Sequence, residues 1–111
     1  LNSESACALG TGEEDDAVTD KQVIAHAIKE HRLLELRYHD VERVVHPHIL
    51  GYVKHNELAL SGWQIEGTGS GWRLFHIAEI NALRETKERF HHPAPGYNPR
   101  DPAFSRILTH L

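Results

Sequence analysis

The apolar positions of this chain change period along its length, and each change marks an element. Val23, Ile24, Ala27 and Ile28 recur at helical spacing while Lys21, Lys29, Glu30 and Arg32 fill the other positions. That pattern predicts an amphipathic helix packed on one side. Thr19-Asp20-Lys21-Gln22 sets a hydroxyl and a glutamine three residues apart at its start, the spacing of a capping box, and the helix is expected to end near Arg32. The period then falls to two. Leu34, Leu36 and Tyr38 alternate with Glu35, Arg37 and His39, which reads as a half-buried strand closing at a turn around Asp40.

A second strand is expected over Arg43 to Tyr52, rich in β-branched and aromatic residues, with Pro47 demoting its middle to an edge or a bend and Gly51 allowing a bulge. Lys54-His55-Asn56 reads as a turn, and Glu57 to Ile65 as a third strand broken by Gly62. The Glu66 to Gly71 loop leads to a fourth strand, Trp72 to Ile77. Ile80 to Thr86 completes the sheet, although its pattern also fits a helix. Four of the five prolines, Pro93, Pro95, Pro99 and Pro102, fall in the last part of the chain, so residues 93–100 should run extended. Asp101 is then read as the cap of a terminal helix, with Pro102 at its first position and Phe104, Ile107, Leu108 and Leu111 as its apolar stripe. One helix, about five short antiparallel strands and a closing helix fit a small barrel or a bent sheet that protects its edges.

Composition narrows the class. At 111 residues, 40% hydrophobic and 25% charged, the chain suits one small soluble domain and excludes a multidomain machine. Its apolar runs are only a few residues long, too short for a membrane-spanning helix. Cys7 has no partner for an internal disulfide, so a packed core must hold the fold and a reducing cytoplasm is the expected home. The opening residues lack the basic and long apolar regions of a secretory signal, and with no initiator Met the true start stays open.

The formal charge of -4 hides an asymmetry. Glu4, Glu13, Glu14, Asp15, Asp16 and Asp20 stand in the first 20 residues without a Lys or Arg, which leaves 10 acidic residues against all 12 basic ones, or +2, for the rest. Residues 1–18 are expected to form a solvated, disordered leader, the alternative being a flap over a basic pocket. Ten histidines add positive charge below about pH 6.5. A total of +2 is far from the excess of a dedicated duplex binder, so an anion site must be a local cluster.

The order of these pieces resembles the WYL domain, a bacterial module with a small Sm-like β-barrel preceded by a helix. The likeness spans residues 22–90. It rests on residues 27–38, AIKEHRLLELRY, similar to the family's helix and Tyr-ending strand; on residues 43–51, RVVHPHILG, similar to its Arg-x-Val-x-Pro segment; on residues 72–80, WRLFHIAEI, similar to its Arg-x-Phe strand; and on Phe90 as the closing Phe. The family's naming Trp-Tyr-Leu tripeptide corresponds here to Asn56-Glu57-Leu58, and Glu79 stands where a basic residue is usual. Residues 63–75 and 95–99 are similar to a short, stand-alone variety of the family. The resemblance implies a five-stranded antiparallel Sm-like barrel with its helix over 19–90; with the Pro-rich extension and C-terminal helix read above over 91–111, the expected fold is mainly β with flanking helices. It also implies a regulatory module that senses a ligand or binds nucleic acid, often joined to a winged helix-turn-helix and often near defence genes. No winged helix fits residues 1–20, so a DNA-binding partner protein is expected elsewhere.

Six side chains are the candidate contacts. Arg73 and Arg43 match basic strand positions of the family, and Arg73 follows a glycine-rich loop whose backbone can approach a phosphate. Arg37 alternates away from the apolar face and reads as solvated. Trp63, Trp72 and Tyr52 offer faces for unpaired bases, or pack in the core, and Gln64 offers an amide. Gly67, Gly69 and Gly71 lack the helix and spacing of a dinucleotide fingerprint and are expected to form a flexible connector, which could close over a ligand. His46 with His48, and His91 with His92, invite a metal without completing a ligand set. No Ser lies in a nucleophile elbow, which leaves a weak nuclease alternative on His46 and His76. The expectation is a non-enzymatic module without cofactor or metal, binding a nucleotide, a short single strand or another anionic effector. The alternative is a protein-interaction or homodimer module that uses a sheet edge and the terminal helix.

Overall fold

The computed structural model describes residues 19–111, so the acidic leader and Cys7 lie outside the described residues. The capping box at Thr19 forms as its spacing dictates. The Thr19 hydroxyl accepts from the Gln22 N–H at 3.2 Å, and the Gln22 side chain accepts from the Thr19 N–H at 3.0 Å. Helix α1 (Asp20–Glu30) ends where His31 turns left-handed, its N–H reaching the carbonyls of Ala27 and Ile28. Ile24, Ala27 and Ile28 are fully buried against the sheet. Each of the two isoleucines contributes about 1.5–3 kcal/mol through that burial.

The sheet contains β1 (Arg32–Tyr38), β2 (Val41–Val53), β3 (Glu57–Glu66), β4 (Gly71–His76), β5 (Ile80–Arg89) and β6 (Arg106–His110). All pairings are antiparallel, in the order β4-β3-β2-β1-β5, with β6 added beside β2. This mainly β architecture bears out the β-rich reading with one flanking helix. It also corrects two details of the expected fold: the path ends at β4 and β5 without closing into a five-stranded barrel, and the C-terminal helix is absent.

The reason for the second correction lies in β2. Strand β1 covers one edge of β2 only as far as Val45, opposite Leu34, which leaves Ile49 to Tyr52 with open hydrogen-bonding groups. Residues Arg106 to His110 satisfy them as β6. Buried backbone groups demand partners more strongly than a 3-4-3 stripe demands a helix. Asp101 still caps, but it caps one turn: its carboxylate accepts from Ala103 N–H at 2.9 Å and its carbonyl from Phe104 N–H at 3.1 Å. Gly51 permits the close approach, because a Cβ there would lie 2.4 Å from the Arg106 carbonyl oxygen.

Pro47 sits inside β2, fully buried, opposite Gly62 of β3. Its other edge falls between the start of β1 and the end of β6, where no ladder hydrogen bond is lost. Strand β3 runs unbroken through Gly62. His39 and Asp40, both at positive φ, close the β1–β2 hairpin, the geometry a two-residue type I′ turn requires. Residues 80–89 are strand and not helix, with a register shift opposite Glu35–Arg37 where Ala82 takes a φ of 51°.

The two faces of the sheet carry separate cores. Toward α1 lie Leu34, Leu36, Tyr38, Val45, Leu50, Leu60, Phe75 and Ile80. A smaller cluster holds Ile49, Val53, Ala59 and Phe104, with Tyr97 and Ile107 packed on it. No helix among the described residues is long and apolar enough to cross a membrane.

Candidate functional site

The second cluster is covered by the irregular stretch between β5 and β6, and His48 fastens that cover. Its ring is fully buried. Nδ1 donates to the His46 carbonyl at 2.7 Å, and Nε2 accepts from the Ala94 N–H at 3.0 Å, which requires the neutral Nδ1–H tautomer. Burial pushes its pKa down, with His46 and His31 opposing a charge there too, and only the bond to the His46 carbonyl pulling upward. Around it stand Trp72 at 4.8 Å, Tyr97 at 5.1 Å and Phe90 at 5.5 Å between ring centroids. Phe90 also stacks on His46 at 4.7 Å, and burial lowers the His46 pKa in turn. Trp72 Nε1 donates to the Pro95 carbonyl at 2.8 Å, a second tie on the same segment.

An irregular cover cannot fill space as a helix does, and a cavity of about 260 Å³ remains beneath it. Its apolar walls are Ile49, Leu74, Gly96 and Ala103, its aromatic walls Trp72 and Tyr97, and its polar walls Ser61, Arg73, Asn98 and Asp101. The rings of Trp72 and Tyr97 lie 22° from parallel, with centroids 6.4 Å apart. The cavity adjoins β4, an edge strand, where Leu74 is 40% exposed.

Of the six sequence candidates, Trp72 and Arg73 line this cavity. Arg73 donates to the carbonyls of Trp72 at 2.9 Å and Gly69 at 3.2 Å. Among the described residues none of the ion pairs involves it. Three of its five N–H groups have no acceptor from those two bonds. Trp63 stands behind Trp72, edge to face at 5.6 Å. Tyr52 belongs to the β6 side, with the Arg106 guanidinium 5.4 Å from its ring centre.

Arg43 and Gln64 lie in the sheet interior. Arg43 is 9% exposed and donates to Tyr38 O, Gln64 Oε1 and Thr68 Oγ1, with Tyr38 and Phe75 under its guanidinium at 5.4 and 5.8 Å. Gln64, fully buried, donates to Thr68 Oγ1 at 3.0 Å and to the Gly69 carbonyl at 2.7 Å. Neutral acceptors and two rings hold this cation in place of a carboxylate. The glycine-rich loop is therefore tied to the sheet, and the Gly69 carbonyl joins the interior pair to Arg73. Gly67 serves this packing at φ 134°, with a substituent there meeting Arg43 Cγ at 3.1 Å.

Arg37 pairs with Glu42 on the surface, and that hydrogen bond raises its pKa. His46 stands opposite Trp63 and His76 opposite Ala59. Four residues of β3 separate the two, about 13 Å at strand rise, so the pair is not brought together for proton transfer. Among the described residues no three His, Cys, Asp or Glu side chains converge as a metal set. A second hollow of about 200 Å³ is lined by Lys29, Glu30, His31, Arg89, Phe90 and His91, but there Arg89 already bonds Glu30 at 3.3 Å.

Sequence reasoning missed Tyr97, Asn98 and Asp101. The signal available was local: an aromatic and two short polar side chains inside a proline-rich segment mark a structured loop. Comparison with family models, curated proteins and solved structures gives no match for this chain.

Proposed function

We propose that this protein is a non-enzymatic regulatory module that senses a nucleotide, a short single strand or another anionic effector in the cavity beside β4. The observation that carries the reading is Arg73: a residue of the cavity lining whose guanidinium, turned to the Gly69 carbonyl of the glycine-rich loop, has open donors and no carboxylate partner among the described residues. Trp72 and Tyr97 supply aromatic surface for a base, while Trp63 backs Trp72. Arg43 and Gln64 act through the Gly69 carbonyl by setting the loop against which Arg73 rests. The resemblance to WYL domains supports the same reading, as do the leading helix and the return of β5 beside β1. A cytoplasmic setting and a separate DNA-binding partner complete it.

Titration with 5′-mononucleotides and a short single-stranded oligonucleotide at two salt concentrations tests this. Arg73→Ala is expected to weaken binding about tenfold or more, in keeping with about 1.5–3 kcal/mol for a charge-assisted contact, and added salt to weaken it further. Affinity indifferent to both removes Arg73 from the site. The interaction reading retains one supporting feature, the exposed Leu74 on the unpaired edge of β4. A dimer in light scattering that Leu74→Glu dissociates would favour it.

A further inference from the structure

A pocket built only to capture anions would be lined by cations, and this one is not. Asp101 and Asn98 share its wall with Arg73. Among the described residues no ion pair involves Asp101, so its carboxylate is not in place to neutralise the arginine. One carboxylate oxygen accepts from the Ala103 N–H at 2.9 Å and the other is open. The Asn98 amide oxygen accepts from the Arg100 N–H at 3.0 Å, which leaves its NH2 as the free end. The wall thus offers an anionic acceptor and, three residues before it on the same loop, a neutral donor. Trp72 and Tyr97 line the same cavity, and the Arg73 guanidinium lies by the Gly69 carbonyl at the start of β4.

We infer that this cavity selects guanine among the bases, with Asp101 as the specificity-determining residue. The inference rests on the nucleotide reading above. Guanine's pairing edge carries two adjacent N–H donors beside a carbonyl oxygen, matching a carboxylate beside an amide NH2. Adenine and cytosine place a ring-nitrogen lone pair at the centre of that edge, which a carboxylate repels. Uracil has a single N–H between two carbonyls. Asp101 is half-buried and Asn98 exposed, so a base that encloses them without pairing them leaves polar groups unsatisfied and binds more weakly. The volume of about 260 Å³ lies just under the usual ligand-pocket range of about 300–1,000 Å³, so one ring system enters and its phosphate stays outside, within the reach asked of Arg73.

Calorimetric titration of the full chain with GMP, AMP, CMP and UMP, for the native protein, Asp101→Asn and Arg73→Ala, separates the two claims. Asparagine at 101 keeps an oxygen for the Ala103 N–H, and circular dichroism verifies that the fold is retained. The expected result is GMP binding at least tenfold tighter than the other three, a preference that Asp101→Asn abolishes, while Arg73→Ala weakens all four by a similar factor. Equal binding of the four nucleotides, unmoved by Asp101→Asn, overturns the guanine inference and leaves the Arg73 reading standing. No binding of any nucleotide, or binding of a zwitterionic amino acid such as L-arginine in their place, overturns both.

Discussion

The two faces of the sheet are closed by different means. On one, α1 lays Ile24, Ala27 and Ile28 over Leu34, Leu36, Leu60 and Phe75, and every one of these is at most 1% exposed. On the other, a proline-rich segment is fastened by a buried histidine and an indole N–H, and beneath it a cavity remains. A helix with a continuous apolar stripe seals because its side chains interdigitate at regular spacing. A segment held at a few hydrogen-bonded points leaves space between them. Under the function proposed above, the first face serves stability and the second recognition.

Phe75→Ala should break the comparison hardest. Phe75 is 1% exposed, meets Tyr38 edge to face at 4.9 Å and lies under Arg43, so its truncation is expected to cost about 3–5 kcal/mol in urea unfolding. A loss below 1 kcal/mol would show that the helix-side core is not the main source of stability. His48→Leu comes next, at about 1–3 kcal/mol, because the Ala94 N–H loses its acceptor. Limited proteolysis should then cut within residues 91–104 before the helix side is touched.

Acid sharpens the same difference. The His48 and His46 pKa values are lowered in the folded state, so below about pH 6.5 the unfolded chain binds more protons than the native one. Their contribution is complete above about pH 6.5 and is lost as the pH falls through the lowered native values. Thermal melts from pH 7 to 5 should show declining stability, with a shallower decline in His48→Leu. Melts of equal slope would place the titration elsewhere. The smallest effect on stability belongs to Arg73→Ala, within about 0.5 kcal/mol, since the side chain is partly exposed and bonds only two carbonyls. A stable variant that no longer binds would separate recognition from folding.

Legibility followed the same division. Helix α1 and strand β1 were readable because a cap, a 3.6 period and a clean alternation are local and agree with one another. Gly51 and Pro47 stand out in the sequence as irregular, but what each permits depends on neighbours far along the chain: β6 against Gly51, and the gap between β1 and β6 beside Pro47. The stripe of Phe104, Ile107, Leu108 and Leu111 fits a helix, yet the open edge of β2 claimed Ile107 and Leu108 for a strand. Arg73 and Trp72 are candidate contacts on their positions in the sequence alone. Asn98 and Asp101 reach the same cavity only through a loop that returns across the sheet.

By itself the amino-acid order determined the helix, the alternation of the early strands, the β-rich class and the residues with chemistry to offer, because these depend on interactions within a few positions. Tertiary structure decided which edge β6 would fill, that Arg43 and Gln64 would be enclosed while Arg73 stays open, and that a carboxylate would share its cavity. Backbone hydrogen bonds left unsatisfied by one strand can be completed only by another, and a concave site exists only where distant segments fail to close the space between them.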